Sequence, residues 1–408
     1  QLFPSDILKF SSLGVKGIIL LSGGITSHLT ILSRSLGMPV VISETRALLS
    51  LSPGTKILLD AEQGNIYINP QPDVIETFQT KEAEKRRSAQ LKDSLKEKTF
   101  TKDGTRIKLL ANINLLGDLK TASEYKAEGI GLYRTEFPFI VRSNFPSEEE
   151  QYLIYAKLVA GMPDKEITFR TLDIVGDKVL SYYDYGHEEN PFLGMRSIRF
   201  SLRHKDVFAQ QLRAILRAGI GIDLRIMFPM ISSLDEFLEA KGFVRQCLDD
   251  LVKEGVECHR SPQIGMMIEL PAVLEILEEL AEEADFFSIG TNDFIQYMLA
   301  VDRTNEKVAD LYLPHHPSVL RGLKKIVQAA QRHGKGVSIC GDMAHDERFV
   351  PYLLGIGLRT FSVDSRYLYK LQRAVEHVDI RRAEAETLHI LSQKTVRDID
   401  RMIAPVRF

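Results

Sequence analysis

Cysteine is scarce in this sequence: three residues in 408, none of them in a CxxC pair. That argues against a disulfide framework and against a zinc site. Neither sign of charge is in excess. A formal net charge of −3 with 26% charged residues leaves no basic stripe for nucleic acid and no acidic solvating tail. Long apolar runs are missing too. The run "GIILL" at 17–21 is typical, far below the roughly 20 residues that cross a bilayer. Nothing at the start reads as a secretory leader, and no P-loop is present. What remains is a cytoplasmic globular enzyme or binding protein, long enough for two or three domains and at least one large core. The sequence opens on Gln1 without a methionine and enters a strand-like segment almost at once, which suggests a piece of a longer polypeptide.

Three stretches differ in character. Residues 1–70 alternate short apolar runs ("GIILL", "PVVIS", "TKILLD", "NIYIN") with Gly/Pro turns and one amphipathic helix, which predicts a small α/β or β-rich unit. Residues 71–100 are highly charged and glycine-free, with Glu82–Arg86 and Asp93–Lys96 at helical spacing, and predict an exposed helical linker between two movable parts. Residues 101–408 carry eight near-continuous apolar runs separated by amphipathic stretches: 106–113, 129–135, 167–173, 224–230, 264–269, 285–292, 336–342 and 358–364. This rhythm predicts a (β/α)8 barrel of the TIM type, with extra elements in the long 136–166 and 174–224 connections.

Polar residues gather at one end of these strands: Asn112, Arg134, Arg170, Asp173, Glu269, Asn292, Asp293 and Cys340. In a barrel such ends converge on the face where catalysis is built. Arg134, Arg170, Arg196, Arg199 and Arg303, with Lys178, suit phosphate or carboxylate oxygens, unless the arginines pair with the face's own acids. Glu269 and Asp293 follow neighbouring strands and suit Mg²⁺, unless Glu269 merely caps the turn at Pro271. Cys340 is either a small buried hydrophobe or a proton donor or nucleophile. Cys247 and Cys258 read as structural. In "SGGITSH", His28 falls at a helix N-terminus after Thr26 or Ser27. The amides there favour an anion and disfavour imidazolium. A capping-region histidine is the plain alternative to one that accepts a phosphoryl group.

These residues lie in motifs that resemble the phosphoenolpyruvate-utilising enzyme family. "GGITSHLTILSRSLGMPVV" is similar to its phosphohistidine motif, and "GIGLYRTEF", "GMMIELPAV", "FFSIGTNDFIQYMLAVDR" and "SICGDMAHD" to its barrel motifs. "FRTLDIVGDK" with "NPFLGMRSIR" resembles the phosphoenolpyruvate-protein phosphotransferase branch, enzyme I of phosphotransferase systems. The resemblance implies that His28 takes the phosphoryl group and Cys340 protonates the resulting enolate. It implies that Arg134, Arg170 and Arg303 hold the substrate, assisted by Arg196, Lys178 and Asn292. It further implies Mg²⁺ on Glu269 and Asp293, transfer to an HPr-like carrier, and a homodimer through the barrel.

Departures at Ile25, Val175, Asp342 and His345 suggest a divergent paralogue, such as the nitrogen-regulatory form. The resemblance further implies that the region docking the carrier is not among these residues and that the His28 unit is partial. Two other readings stand beside this one: a fragment of a pyruvate-phosphate dikinase or phosphoenolpyruvate synthase, and a non-catalytic phosphoenolpyruvate-sensing module.

Overall fold

The computed structural model describes residues 9–10, 13–21, 38–43, 45–61, 64–71, 74–75, 78, 94–174, 180, 182–183 and 186–403. The chain divides into two compact units. The first comprises Gln1–Leu91, Phe139–Asn144 and Val175–Pro191; the second comprises Lys92–Pro138, Phe145–Ile174 and Phe192–Phe408.

In the first unit, four apolar runs form strands. β1 (Ile18–Leu21) pairs in parallel with β2 (Val40–Ser43), and β3 (Ile57–Asp60) pairs antiparallel with β4 (Asn65–Ile68). These are the strands that the runs predict. The helix expected after Gly24, with His28 in it, lies outside the described residues.

The second unit holds a closed parallel barrel. Its strands are β6 (Arg106–Ile113), β7 (Gly129–Arg134), β8 (Glu166–Arg170), β9 (Asp223–Phe228), β10 (Gln263–Ile268), β11 (Phe286–Gly290), β12 (Gly336–Cys340) and β13 (Thr360–Asp364). They neighbour one another in sequence order, and β13 pairs with β6 to close the ring. Such strands are covered on both faces, which is why they read as continuous apolar runs rather than alternating ones. Helices wrap them by amphipathic spacing. In Pro317–Arg332, Val319, Leu320, Leu323, Ile326, Val327 and Ala330 all turn inward, one face of a 3.6-residue period. Inside the ring, Leu132, Met227, Met267, Phe286 and Cys340 form a small apolar plug.

The long connections carry the extra elements expected of them. Glu148–Ala160 opens on a capping box, in which Ser147 accepts from the Glu150 amide while the Glu150 carboxylate accepts from the Ser147 amide. The helices Ile198–Arg203 and Lys205–Ala218 follow in the next connection. The expected linker fares differently. Residues 72–73, 76–77 and 79–93 lie outside the described residues. At its end the helical reading fails, because Thr99–Phe100 form β5, antiparallel to the start of β6. Backbone pairing with the barrel overrides the helix propensity of that charged stretch. Among the described residues no helix is long and apolar enough to cross a membrane.

Candidate active site at the barrel mouth

Three acids converge at the C-terminal ends of the strands. Glu269 directly follows β10, Asp293 sits in the first turn of the helix Thr291–Leu299 after β11, and Asp173 lies three residues past β8. One carboxylate oxygen from each comes within 4.8 Å of the others. Glu269 and Asp293 were expected as a pair, and the structure adds Asp173. The capping alternative for Glu269 does not hold. Its Oε2 accepts from the Met230 amide at 2.8 Å, while the turn Pro271–Glu275 has no side-chain cap.

Two backbone distortions serve this cluster. Met230 holds a left-handed φ of 58°, and its amide is the one that reaches Glu269. Ser197 holds a φ of 55°, and its hydroxyl donates to Asp173. Side chains other than glycine rarely adopt such conformations unless the surroundings impose them, and they cluster at functional sites. Two glycines are required as well. A Cβ on Gly290 would come 2.9 Å from the Glu269 Cγ; on Gly341, whose φ is 91°, it would come 2.3 Å from the Thr291 hydroxyl.

Arginines surround the acids, and most of them pair with them. Arg170, the last residue of β8, bonds Glu136 at 2.9 Å and Asp173 at 2.8 Å. Arg196 bridges Asp173 at 3.0 Å and Asp293 at 3.2 Å, and also donates to the Tyr297 hydroxyl at 2.9 Å. Burial opposes the charge on both arginines, but the facing carboxylates outweigh it and hold them above the usual guanidinium range. Arg303 stands 3.6 Å from Asp293. It follows the helix Thr291–Leu299, so a helix separates it from the sixth barrel strand. Arg199 instead donates to the carbonyls of Leu193 and Gly194, fixing the backbone that leads into Arg196.

Arg134 is the exception. It ends β7 and donates to Asn114 Oδ1 at 2.8 Å, and no carboxylate among the described residues forms an ion pair with it. Burial, then the neighbouring Arg170 charge, pull its guanidinium below the usual range.

The acids respond in opposite ways. Burial works to raise Asp173, but Arg170 and Arg196 hold it well below the carboxylate range. Glu269 is pushed up to about 8 by burial, then by the nearby Asp293 and Asp173 charges. Asp293 Oδ1 is buried without a hydrogen bond, and the nearest charge facing it among the described residues is Arg303 at 3.6 Å. A buried hard oxygen lacking a donor, among three converging carboxylates, fits a divalent cation that prefers oxygen ligands.

Cys340 ends β12 at 2% exposure, and burial pushes its thiol up, so it stays protonated at neutral pH. Asn292 is tied to Asp342 twice: its Nδ2 donates to the carboxylate at 3.2 Å and its Oδ1 accepts from the Asp342 amide at 2.8 Å. Cys247 and Cys258 are buried apart from the mouth cluster, as structural cysteines should be. His28 and Lys178 lie outside the described residues. Sequence reasoning gave Glu136 and Ser197 no role and left Asp173 out of the acid pair. The sequence signals for the latter were its place just past a strand end and its i,i+3 spacing from Arg170.

Fold and site together define a TIM-type barrel whose catalytic end presents a carboxylate cluster braced by arginines. The family described as "PEP-utilising enzyme, PEP-binding domain" matches residues 88–380, and "PEP-utilising enzyme, mobile domain" matches residues 1–64. The chain belongs to the phosphoenolpyruvate-utilising enzymes. Relatives named phosphoenolpyruvate-protein phosphotransferase cover nearly all of it. The one from Bacillus sp. (strain S) is 40% identical over 403 residues, 98% of this chain and 69% of its own length. That from Listeria monocytogenes is 41% identical over 93% of this chain and 66% of its own length; that from Geobacillus stearothermophilus is 43% identical over 90% and 63%. The chain thus spans about two thirds of the length of these relatives.

Proposed function

We propose that this chain carries the phosphoenolpyruvate half-reaction of a protein phosphotransferase. The phosphoryl group moves from phosphoenolpyruvate to His28, pyruvate leaves, and a histidine of an HPr-like carrier receives the group in turn. The observation that carries this reading is Arg134, a part-buried guanidinium with no carboxylate ion pair among the described residues, in the same mouth as the carboxylate cluster. A cation partly withdrawn from water is costly unless an anion is to arrive, and the acids beside it suit the metal that would accompany a phosphate.

In this reading Arg134 meets the incoming anion first, and Arg170 and Arg303 turn toward it from their acid partners. Arg196 keeps Asp173 and Asp293 in place, while Asn292, set by Asp342, and Lys178 assist. Glu269 and Asp293 would hold Mg²⁺ through their carboxylate oxygens, with Asp173 behind them. When bound, the metal neutralises charge on the phosphate and enolate oxygens. Cys340 gives its proton to the enolate carbon, so that the S–H bond breaks and a C–H bond of the pyruvate methyl forms. A protonated, buried thiol is what that step needs, and a purely sensing module would have no use for it. The phosphohistidine unit is residues 1–70 and the substrate barrel 101–408, joined by 71–100. The protein would act in the cytoplasm as a homodimer through the barrel, in sugar uptake or nitrogen regulation.

The test is to incubate the full chain with phosphoenolpyruvate and Mg²⁺ and to locate acid-labile phosphate by mass spectrometry, with His28→Ala as control. Label on His28 that the variant lacks is the expected result. Binding that depends on Mg²⁺ but leaves no label would confine the reading to the barrel. Neither binding nor label would overturn it.

A further inference from the structure

Ser288 is the one polar residue in the strand "FFSIG", buried to 1% exposure on the face of β11 that also carries Phe286. A hydroxyl placed in an apolar interior is costly unless it has a partner. Its hydrogen-bond partner is the sulfur of Cys340, to which it donates at 3.6 Å. The thiol in turn donates to the Ile289 carbonyl at 3.4 Å, and the apolar plug of Leu132, Met227, Met267 and Phe286 packs with Cys340. The sulfur is therefore held by one donor and one acceptor, both from β11, while the charges of Arg134, Glu269 and Arg170 act on it without a hydrogen bond.

We propose that Ser288 is a positioning residue for proton transfer at Cys340, and that its hydroxyl stays bonded to the sulfur as thiol becomes thiolate. This inference rests on the reading of Cys340 as the proton donor. When the S–H bond breaks and the proton forms a C–H bond at the enolate carbon, the electron pair stays on sulfur. That new charge lies inside the barrel, and the Ile289 carbonyl, which accepted from the thiol, then opposes it. The Ser288 hydroxyl is aimed at the sulfur already and needs no rearrangement. A hydrogen bond to an ion is roughly twice as strong as one to a neutral group, so this contact strengthens as charge develops. In reverse the same contact favours the thiolate that removes a proton from the pyruvate methyl. Ser288 touches no substrate in this scheme and acts through the sulfur.

The test compares wild type, Ser288→Ala and Ser288→Thr as full chains. Thiolate absorbance near 240 nm is titrated against each protein's Cys340→Ala counterpart, which removes the signals of Cys247 and Cys258. Exchange of pyruvate methyl protons with deuterated solvent, in the presence of Mg²⁺, is followed by NMR. Ser288→Ala is expected to move thiol ionisation to higher pH and to slow exchange about tenfold or more at neutral pH. The pH profile of exchange should shift with the thiol while the KM for pyruvate holds, and Ser288→Thr should restore both. An unchanged titration, or a shifted titration with unchanged exchange, would overturn the proposal. A wild-type chain that binds phosphoenolpyruvate but does not exchange pyruvate protons would overturn the role of Cys340 and this proposal together. Failure even to bind would overturn the functional reading itself.

Discussion

Arg134 and Arg170 end adjacent strands, yet their substitution should have opposite consequences. Replacing Arg170 with alanine leaves Glu136 in the interior without its ion-pair partner and takes one of the two arginines from Asp173, so it should cost about 3–5 kcal/mol of stability. Replacing Arg134 with glutamine orphans no carboxylate among the described residues and removes a cation that burial already disfavours. Calorimetry should therefore find its Tm unchanged or raised, while phosphoenolpyruvate affinity falls about tenfold or more. A large loss of stability in Arg134→Gln would make it a structural arginine. Glu269 supplies a second test. With its folded pKa raised to about 8, the native state binds a proton that the unfolded chain has lost. Metal-free stability should therefore fall as pH rises from the ordinary glutamate range through about 8. Glu269→Gln should flatten that slope, and Mg²⁺ should offset the loss at pH 8, where the carboxylate is free to bind. A metal-free Tm that holds constant across this window would refute the assignment. Beyond the i,i+3 pair of Arg170 and Asp173, these pairings were not legible in the sequence. Arg196 and Asp293 lie 97 residues apart, and spacing over that distance says nothing about which cation meets which acid.

At the scale of elements the sequence was far more informative, because a strand covered on both faces has to be apolar throughout. All eight runs became barrel strands, and the proposed site residues sit at or just beyond their ends, as at Glu269 after β10 and Cys340 closing β12. The turns that follow were harder to read. Nothing in "MFPMIS" or "GMRSIR" announces that Met230 and Ser197 adopt left-handed backbones, since both residue types are ordinary elsewhere. Gly341 is the readable case, and it gives a sharp prediction. Its φ of 91° and its 2.3 Å and 2.6 Å approaches to Thr291 and Asn292 forbid a side chain. Gly341→Ala should cost about 2 kcal/mol or more and weaken substrate binding, because Asn292 must shift. Gly104, at a φ of 84° but facing open space, is the control. Its alanine variant should lose stability through backbone strain alone and keep full phosphoenolpyruvate affinity. Equal losses of affinity in the two would mean that the crowding around Gly341 has no bearing on the site.

At the scale of the whole molecule, the question is where the barrel unit begins. Charge and helical spacing put the start of the barrel at 101, whereas the second compact unit starts at Lys92. The intervening residues are not idle. Leu95 is buried, and the Gln372 side chain accepts from the Lys96 amide at 2.9 Å while donating to the Lys96 carbonyl at 3.1 Å and the Thr99 hydroxyl at 2.8 Å. A chain cut to begin at Thr101 loses the Leu95 burial, worth about 1.5–3 kcal/mol. It also leaves a buried amide unsatisfied, at about 1–3 kcal/mol more. It should therefore unfold well before a chain that begins at Lys92. The longer piece should bind phosphoenolpyruvate with Mg²⁺, since every arginine and acid of the mouth lies beyond residue 92. Without His28 it should take no acid-labile phosphate from it. Matching melting curves for the two pieces would show that residues 92–100 contribute nothing to the barrel. Label on either piece would show that His28 is not the acceptor, and the barrel's own histidines would then have to be searched for one.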